Sequence, residues 1–295
     1  MLLKRRRFVV AAFVLLVLFW GSAFTAIKVG LAHAPPVLFA GLRAGLGGLA
    51  MAPAALFWGG SPRLGQNWSV FALLGLFNVV LFLGLQTFAI MLLPSGTAAV
   101  LIYLQPILVG LLAWALLGEP LSAAKLAGLF LGFAGIAAVS SGSFSGAVSP
   151  AGVAFAAGSA LAWALGTVYF KSAQERAPIL WSISLPFLFG GLVLTLLGLL
   201  LESPAQIEWN SEFVLSLLYT ALVGTALAWI LWLGLIRAGE ASRVAAYVFF
   251  VPLAAVLLGA ILLGEKLSPS LLAGAALVVS GIYLVNRRRQ EGSGL

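Results

Sequence analysis

Long apolar runs separated by short polar turns recur ten times along the chain. Most runs approach the roughly 20 residues that a helix needs to cross a hydrocarbon core of about 30 Å. The strict alternation of apolar and polar positions that is typical of a membrane β-barrel is missing. Because only helices and closed barrels satisfy their backbone polar groups in lipid, we predict an all-α polytopic membrane protein with ten transmembrane helices. The predicted helices cover residues 8–31, 36–58, 68–92, 94–117, 122–140, 151–171, 179–201, 212–236, 241–263 and 269–286.

The same 34-residue pattern occurs twice in the chain. Residues 106–139 and 252–285 align without a gap and are identical at 16 of 34 positions. A proline, a glutamate and a serine fall in register, which a chance alignment of leucine-rich sequences does not produce. Shorter echoes lie 143 positions apart and relate the first predicted helix to the sixth. We therefore predict two five-helix repeats, residues 8–140 and 151–286, joined by a polar linker at 141–150.

The odd number of helices in each repeat has a topological consequence. After five crossings the second repeat enters the membrane from the opposite side, so the two repeats are inverted relative to each other. Glu119 then faces the cytoplasm, and its repeat mate Glu265 faces the outside. Inverted repeats are typical of alternating-access carriers, which bind their solute near the membrane midplane between the repeats.

Composition and charge agree with a membrane location. Hydrophobic residues make up 62% of the chain and charged residues 8%, which leaves too little polar surface for a soluble protein. With a cytoplasmic N-terminus, thirteen lysines and arginines lie on the inner side and two on the outer side. We therefore expect an inner (plasma) membrane protein with both termini in the cytoplasm. No basic stripe accompanies the net charge of +8, so no nucleic-acid partner is expected.

The first 26 residues also have the layout of a signal peptide, with a basic head, an apolar core and small residues. However, residues 18–24 have an internal echo at residues 161–167, and a segment with such a partner belongs to the mature repeat. We expect this segment to be retained as the first transmembrane helix.

The sequence argues against enzymatic chemistry. The chain has one histidine, no aspartate and no cysteine, so neither a catalytic triad nor a histidine or cysteine metal cluster can form. No glycine-rich phosphate-binding loop is present either. We therefore expect no catalytic residues, no metal and no cofactor. All eight glutamates fall at predicted helix ends, in loops or in the tail, which favours facilitated diffusion or solute exchange over coupling to a buried glutamate.

Aromatic and amide side chains are the candidates for a solute cavity. Asn78, Phe82 and Gln86 recur every four residues, so we expect them on one face of the third helix. Aromatic walls with a few amides suit a flat, weakly polar or zwitterionic solute. In the alternative interpretation such residues lie at lipid interfaces or connect neighbouring helices. The candidate substrate-binding residues are Trp20, Asn78, Phe82, Gln86, Tyr103, Trp163, Thr225, Trp229 and Tyr247.

Three further positions have two interpretations each. In the functional interpretation, Arg43 holds an anionic group or gates the outer mouth. In the structural interpretation, its side chain extends to the surface or donates to the carbonyls of a neighbouring helix end. Pro106 and Pro252 lie inside the fourth and ninth predicted helices, where each removes one backbone hydrogen bond. They act either as hinges or as static kinks.

The ten-helix layout, the Trp-Gly-Ser stretch of the first helix, Arg43 in the second and the P…LGE-x-L pattern resemble the EamA family of the drug/metabolite transporter superfamily. The resemblance implies a metabolite transporter, similar to the aromatic-amino-acid exporters, with a cavity formed mainly by helices 1, 3, 4, 6, 8 and 9. The second half departs from the pattern because Pro186 stands where the first half has Arg43, so any role of that arginine is not duplicated.

We expect an exporter of small organic metabolites, such as amino acids, that works by alternating access through a midplane cavity. A proton-coupled multidrug or cation antiporter is the alternative, and a membrane adaptor without transport is a third hypothesis. The expected partners are a small-molecule solute and the lipid bilayer. A monomer suffices for this function, and glycines in helices 5 and 10 would pair within the monomer or between monomers in a dimer.

Overall fold

The computed structural model describes residues 6–93, 95–139, 149–254 and 269–287, and all regular structure in these ranges is helical. Ten helices follow one another along the described residues, with a short 3-10 turn at Pro204–Gln206 between the seventh and the eighth. Their bounds are α1 Arg6–His33, α2 Pro36–Trp58, α3 Leu64–Leu92, α4 Ser95–Ile102 and Gln105–Leu117, α5 Ala123–Val139, α6 Pro150–Ala173, α7 Trp181–Leu201, α8 Ser211–Ala238, α9 Ala241–Ala254 and α10 Pro269–Asn286.

Seven of these helices are long and apolar enough to cross a membrane: α1, α2, α3, α4, α6, α7 and α8. Within the described ranges, α5, α9 and α10 are shorter apolar helices. The chain is therefore a multi-pass membrane protein. Most of the predicted linker, the end of the predicted ninth helix and Glu265 lie outside the described residues.

Most helix bounds agree with the sequence pattern to within two residues, but α3 begins four residues earlier than predicted, at Leu64. Arg63 precedes it in a left-handed conformation, with φ of 47°, and its carbonyl accepts from the amides of Gln66 and Asn67. The tight turn at Arg63 allows the helix to begin directly after it, before the apolar run that marks it in the sequence.

Pro106 lies within the fourth apolar span, Thr97–Leu117, as predicted, but the helix is not continuous there. α4 is interrupted at Tyr103 and Leu104, and Pro106 lies in the first turn of its second segment. A proline ring clashes with the carbonyl four residues before it, and for Pro106 that residue is Ile102, where the first segment ends.

α9 departs from α geometry at the corresponding place. The residue four positions before Pro252 is Val248, and residues Tyr247–Phe249 form a 3-10 turn. Both prolines therefore follow a local break in the helix rather than lying inside a regular one.

Two of the long helices contain a π-helical segment. In α3 the segment covers Leu76–Leu81, and in α8 it covers Thr220–Leu227. A π segment inserts an extra residue into the helical turn, so it rotates every later side chain relative to the earlier ones. The two segments begin 144 residues apart, close to the offset of the sequence repeat.

Glycines bring two pairs of helices into backbone contact. In α2 and α7, a Cβ atom at Gly48 would lie 2.6 Å from the amide nitrogen of Leu188. In α5 and α10, a Cβ atom at Gly128 would lie 2.6 Å from the Gly281 carbonyl oxygen. Such small residues permit the close approach that stabilises helix pairs in membranes. Gly128 and Gly281 thus pair within one chain.

The other main contacts join α1 with α8 and α3 with α6. Ser216 Oγ donates to the Ala26 carbonyl at 2.6 Å, and Ser159 Oγ donates to the Phe82 carbonyl at 3.2 Å. These contacts surround a core of buried aromatic residues at the middle of the helices.

Polar contacts between helix termini define two ends of the bundle. At the first, which we call the Glu119 end, the Glu119 carboxylate accepts from the amides of Ala241 and Ser242 at the start of α9. Gly118 closes α4 there with φ of 68°, a conformation that favours glycine. At the opposite Glu202 end, the Glu202 carboxylate accepts from the amides of Val37 and Leu38 at 2.9 and 2.8 Å.

Candidate functional site

Five aromatic side chains from four helices meet at mid-length of the bundle, and we call them the aromatic cluster. They are Trp20 in α1, Phe82 in α3, Trp163 in α6, and Trp229 and Trp232 in α8. The Trp20 and Trp163 rings meet edge to face at 5.3 Å, and Phe82 stacks on Trp163 at 4.9 Å. Edge-to-face and stacked contacts of this kind add to the free energy that ring burial provides.

A narrow pocket lies beside the aromatic cluster. The volume of this pocket that the centre of a water molecule can occupy is about 40 Å³. A single water needs roughly 10–15 Å³ on that measure, so the pocket holds only a few waters or one small polar group. A chamber large enough for a whole metabolite is therefore not open in this conformation, because the rings of the cluster fill the centre.

Seven of the nine candidate substrate-binding residues line this one pocket. They come from α1, α3, α4, α6 and α8, which include helices of both sequence repeats. They are Trp20, Phe82, Gln86, Tyr103, Trp163, Thr225 and Trp229.

Asn78 and Tyr247 do not line the pocket in the structure. Asn78 lies within the π segment of α3, one helical turn before Phe82. Its amide packs instead against Gly166 of α6. The Tyr247 ring, in the 3-10 turn of α9, lies 4.2 Å from the ring of Phe13.

Other lining residues were missed at the sequence level. They are Ala23, Phe24, Ile27, Leu83, Ile102 and Gly224, together with Arg43, whose place in the pocket was one of two interpretations. Ala23, Phe24 and Ile27 follow Trp20 at three, four and seven positions, which is the spacing of one helical face. Extending the face of Trp20 along α1 would have found them.

Arg43 is buried, with 4% of its surface exposed. Its guanidinium lines the pocket, and Nη2 donates to Gln86 Oε1 at 3.0 Å. The side chain therefore does not reach the surface. Its hydrogen bond goes to the amide side chain of Gln86 and not to a carbonyl at a helix end. A buried charge in a membrane helix needs hydrogen bonds or a counter-charge, and one amide oxygen supplies only part of that requirement.

Several buried donors near the pocket have no acceptor in the described structure. They are Nε of Arg43 and the indole Nε1 atoms of Trp163 and Trp232. The repeat mate of Trp163 differs, because Trp20 Nε1 donates to the Gly224 carbonyl in the π segment at 3.2 Å. Of these atoms, Arg43 Nε and Trp163 Nε1 belong to residues that line the pocket.

No carboxylate is found among the residues that line the pocket in the described part of the chain. Glu119 and Glu202 bind helix starts at opposite ends, and Glu175 faces Arg237 at 3.6 Å. Glu208 and Glu212 contact His33 near the bundle surface. Glu265 and Glu291 lie outside the described residues.

Comparisons with known proteins agree with one another. The model of the EamA-like transporter family matches residues 7–141 and 150–287. "Uncharacterized transporter YvbV" of Bacillus subtilis is 40% identical over 285 residues, covering 97% of this chain and 93% of that protein. A "Probable amino-acid metabolite efflux pump" of Salmonella typhimurium is 31% identical, covering 92% of both chains. One solved crystal structure matches with a TM-score of 0.81 at 24% identity, covering 96% of this chain and 97% of that one.

Proposed function

Because the chain belongs to the EamA-like transporter family, we propose that it exports small organic metabolites, such as amino acids or similar compounds, by alternating access. Its relatives bear the names of transporters and efflux pumps rather than of enzymes. The observation that carries the proposal is the pocket at the contact between the two sequence repeats, lined by seven of the predicted residues.

An inverted relation between the two repeats is part of the proposal. Gly128 packs against Gly281, and Gly135 packs against Gly274, so residue numbers rise in α5 where they fall in α10. Gly41 against Thr195 and Gly48 against Leu188 give the same antiparallel order for α2 and α7. These helices are repeat mates, so their opposite directions support two inverted five-helix halves and ten spans.

The proposed location is the inner (plasma) membrane, with both termini in the cytoplasm. The charge bias of thirteen inner against two outer lysines and arginines supports this orientation. In it, the Glu119 end faces the cytoplasm and the Glu202 end faces the outside.

The cysteine-free chain allows a direct test of orientation. Ser61 lies between α2 and α3 at the Glu119 end, and Ser203 follows α7 at the Glu202 end; both are exposed. A membrane-impermeant thiol reagent added to intact cells should label Ser203→Cys and leave Ser61→Cys unlabelled until the membrane is permeabilised. Labelling of both variants from one side would contradict the orientation.

We propose facilitated diffusion or solute exchange as the mode of transport. The lack of a carboxylate among the described pocket residues supports this choice over a proton-coupled multidrug or cation antiporter. A carrier must also widen the pocket, because a small-molecule site commonly needs roughly 300–1,000 Å³. Separation of the rings of the aromatic cluster would supply that space.

Counterflow in proteoliposomes tests the function. Liposomes loaded with one unlabelled amino acid should accumulate its labelled form, at a rate that a pH gradient leaves unchanged. Trp163→Ala should reduce the rate at least tenfold, because its ring contacts four others at the pocket. Trp209→Ala, at an exposed tryptophan, is the matched control and should exchange at the normal rate.

Two other outcomes would each favour a different function. Accumulation that requires a pH gradient would indicate a proton-coupled antiporter. A lack of exchange for any amino acid or related organic compound would favour a membrane adaptor.

A further inference from the structure

The pocket contains one full positive charge and no negative one among the described residues. Arg43 is the only charged side chain of its fourteen lining residues. Transfer of a guanidinium into an apolar site is unfavourable unless a counter-charge or a full set of hydrogen bonds accompanies it. The bundle therefore holds a cation whose counter-charge does not come from the described residues around it.

The hydrogen bonds of Arg43 are also incomplete. A guanidinium has five N–H donors, and one of them is directed at Gln86 Oε1 at 3.0 Å. Nε is buried and has no acceptor in the described structure, as is the case for Nε1 of Trp163 on the opposite wall. A solute that brings an acceptor into the pocket would complete the hydrogen bonds of Arg43.

We propose that Arg43 binds the carboxylate of the transported solute. The substrate class is then amino acids and other organic acids that carry an apolar group, rather than organic cations or neutral compounds. This inference rests on the proposed transport function and assigns a substrate class to its pocket.

A carboxylate fits Arg43 better than a phosphate does. Guanidinium and carboxylate form two parallel hydrogen bonds and neutralise each other's single charge. A phosphate monoester carries close to two negative charges and would leave one uncompensated among apolar side chains. Lys28, the nearest lysine along α1, is exposed and lines a separate groove with Pro36 and Ile90, so it does not add a second cation to the pocket.

The walls of the pocket suit the remainder of such a solute. Trp20, Phe82 and Tyr103 present ring surfaces beside Arg43, and these can stack on an apolar side chain. An α-ammonium group would meet ring faces rather than an acid, and such faces attract cations. The space of about 40 Å³ accepts the carboxylate, and the rest of the solute enters as the rings separate.

Binding measured on the full-length protein in detergent tests this assignment apart from transport. Tryptophan fluorescence, excited where phenyl groups do not absorb, reports binding because Trp20, Trp163 and Trp229 line the pocket. The probes are phenylalanine and 3-phenylpropanoate, which carry a carboxylate, and phenylalaninamide and 2-phenylethylamine, which do not. We expect at least tenfold tighter binding of the two carboxylates.

Variants of Arg43 test the contribution of its guanidinium separately from that of the rest of the pocket. Arg43→Gln should weaken binding of both carboxylates at least tenfold and leave the amide and amine unchanged. Arg43→Lys should keep part of the preference, since an ammonium retains the charge without the paired hydrogen bonds. Arg63→Gln changes an exposed arginine between α2 and α3 and should behave as the unaltered protein. Thermal melting and gel filtration check folding, and Arg43→Lys keeps the test decisive if Arg43→Gln does not fold.

Equal binding of carboxylates and amides, no binding of any probe, or an unchanged preference in the Arg43 variants would overturn the assignment. The two proposals also fail separately. A carboxylate preference in binding without exchange in proteoliposomes would refute transport and retain the site. Exchange that ignores the carboxylate would refute the site and retain transport.

Discussion

The two ends of the bundle are closed by polar contacts of different character. At the Glu119 end, Lys125 is 4% exposed and its ammonium contacts Glu240 Oε2 at 3.0 Å and Ser242 Oγ at 2.8 Å. At the Glu202 end, His33 contacts Glu208 and Glu212, whose side chains are 67% and 71% exposed. Charge pairs shielded from water interact more strongly than exposed ones.

The repeat mates Lys28 and Lys171 show the same contrast. Lys171 is partly buried at the Glu119 end, where its ammonium donates to the carbonyls of Ile236 and Arg237 that end α8. Lys28 is exposed beside the groove near Pro36 and Ile90 at the Glu202 end. The duplicated sequence thus has unequal environments in its two copies. The Glu119 end thus has the more shielded polar contacts, and Arg43 and Gln86 lie toward the other end.

Loss of Glu240 should have the largest effect on this contrast. Glu240→Ala removes the carboxylate that pairs with the buried Lys125 ammonium, and it also removes the partner of Arg243. We expect a loss of about 3 kcal/mol in the free energy of unfolding, at the low end for a broken buried pair because Glu240 is partly exposed. Denaturant titration in detergent micelles measures it. Glu175→Ala, from an exposed pair with Arg237, is the control and should change stability by less than about 0.5 kcal/mol.

The two capping carboxylates come next in expected size. Glu119→Ala and Glu202→Ala each remove the acceptor of two backbone amides at a helix start, which costs roughly 1–2 kcal/mol. Glu119 also accepts from Ser242 Oγ, so its loss should be the larger of the two. The same titration compares them, and a larger loss at Glu202 would reverse the contrast between the ends.

Replacement of the lysine mates should have a smaller effect and differ between the copies. Lys171→Met removes the donor to two terminal carbonyls of α8, and we expect a loss of about 1 kcal/mol. Lys28→Met should be neutral because that side chain is exposed. Thermal melting of the two variants side by side is sufficient, and equal shifts would show that the copies do not differ.

Removal of the exposed carboxylates around His33 should have the smallest effect. Glu208→Ala and Glu212→Ala should each reduce stability by less than Lys171→Met does, because solvent-exposed pairs contribute little. Raising the salt concentration should shrink the difference further, because exposed charges are screened. A salt-independent loss as large as that of Lys171→Met would indicate a shielded pair.

Most helix bounds could be predicted because the thickness of the membrane sets the length of an apolar run. The glycines of α5 and α10 predicted close helix pairing but left open whether it lies within one chain or between two. The sequence was insufficient where the helix changes its period. A π segment in α3 has no signature within an apolar run, so regular spacing did not show that Asn78 packs against Gly166 and lies outside the pocket. The proline rule indicates a disturbed turn before Pro106, but it does not show that the helix is interrupted at Tyr103 and Leu104.

The width of the pocket could not be predicted for a different reason. It depends on how the rings of Trp20, Phe82 and Trp163 rotate against one another, and residue spacing contains no information on rotamers. The sequence left two interpretations of Arg43 open, and its burial and unpaired Nε atom became visible only in the structure. Both are three-dimensional properties.

The glycine contacts have a mechanical consequence. Where the backbones of α2 and α7, or of α5 and α10, already touch, neither pair has room to slide or rotate internally. Any motion that enlarges the central space must therefore displace these pairs as stiff units, with the movement concentrated in the aromatic layer between them. Because Gly128 has no side chain, α5 and α10 stay packed as one unit while the aromatic layer moves.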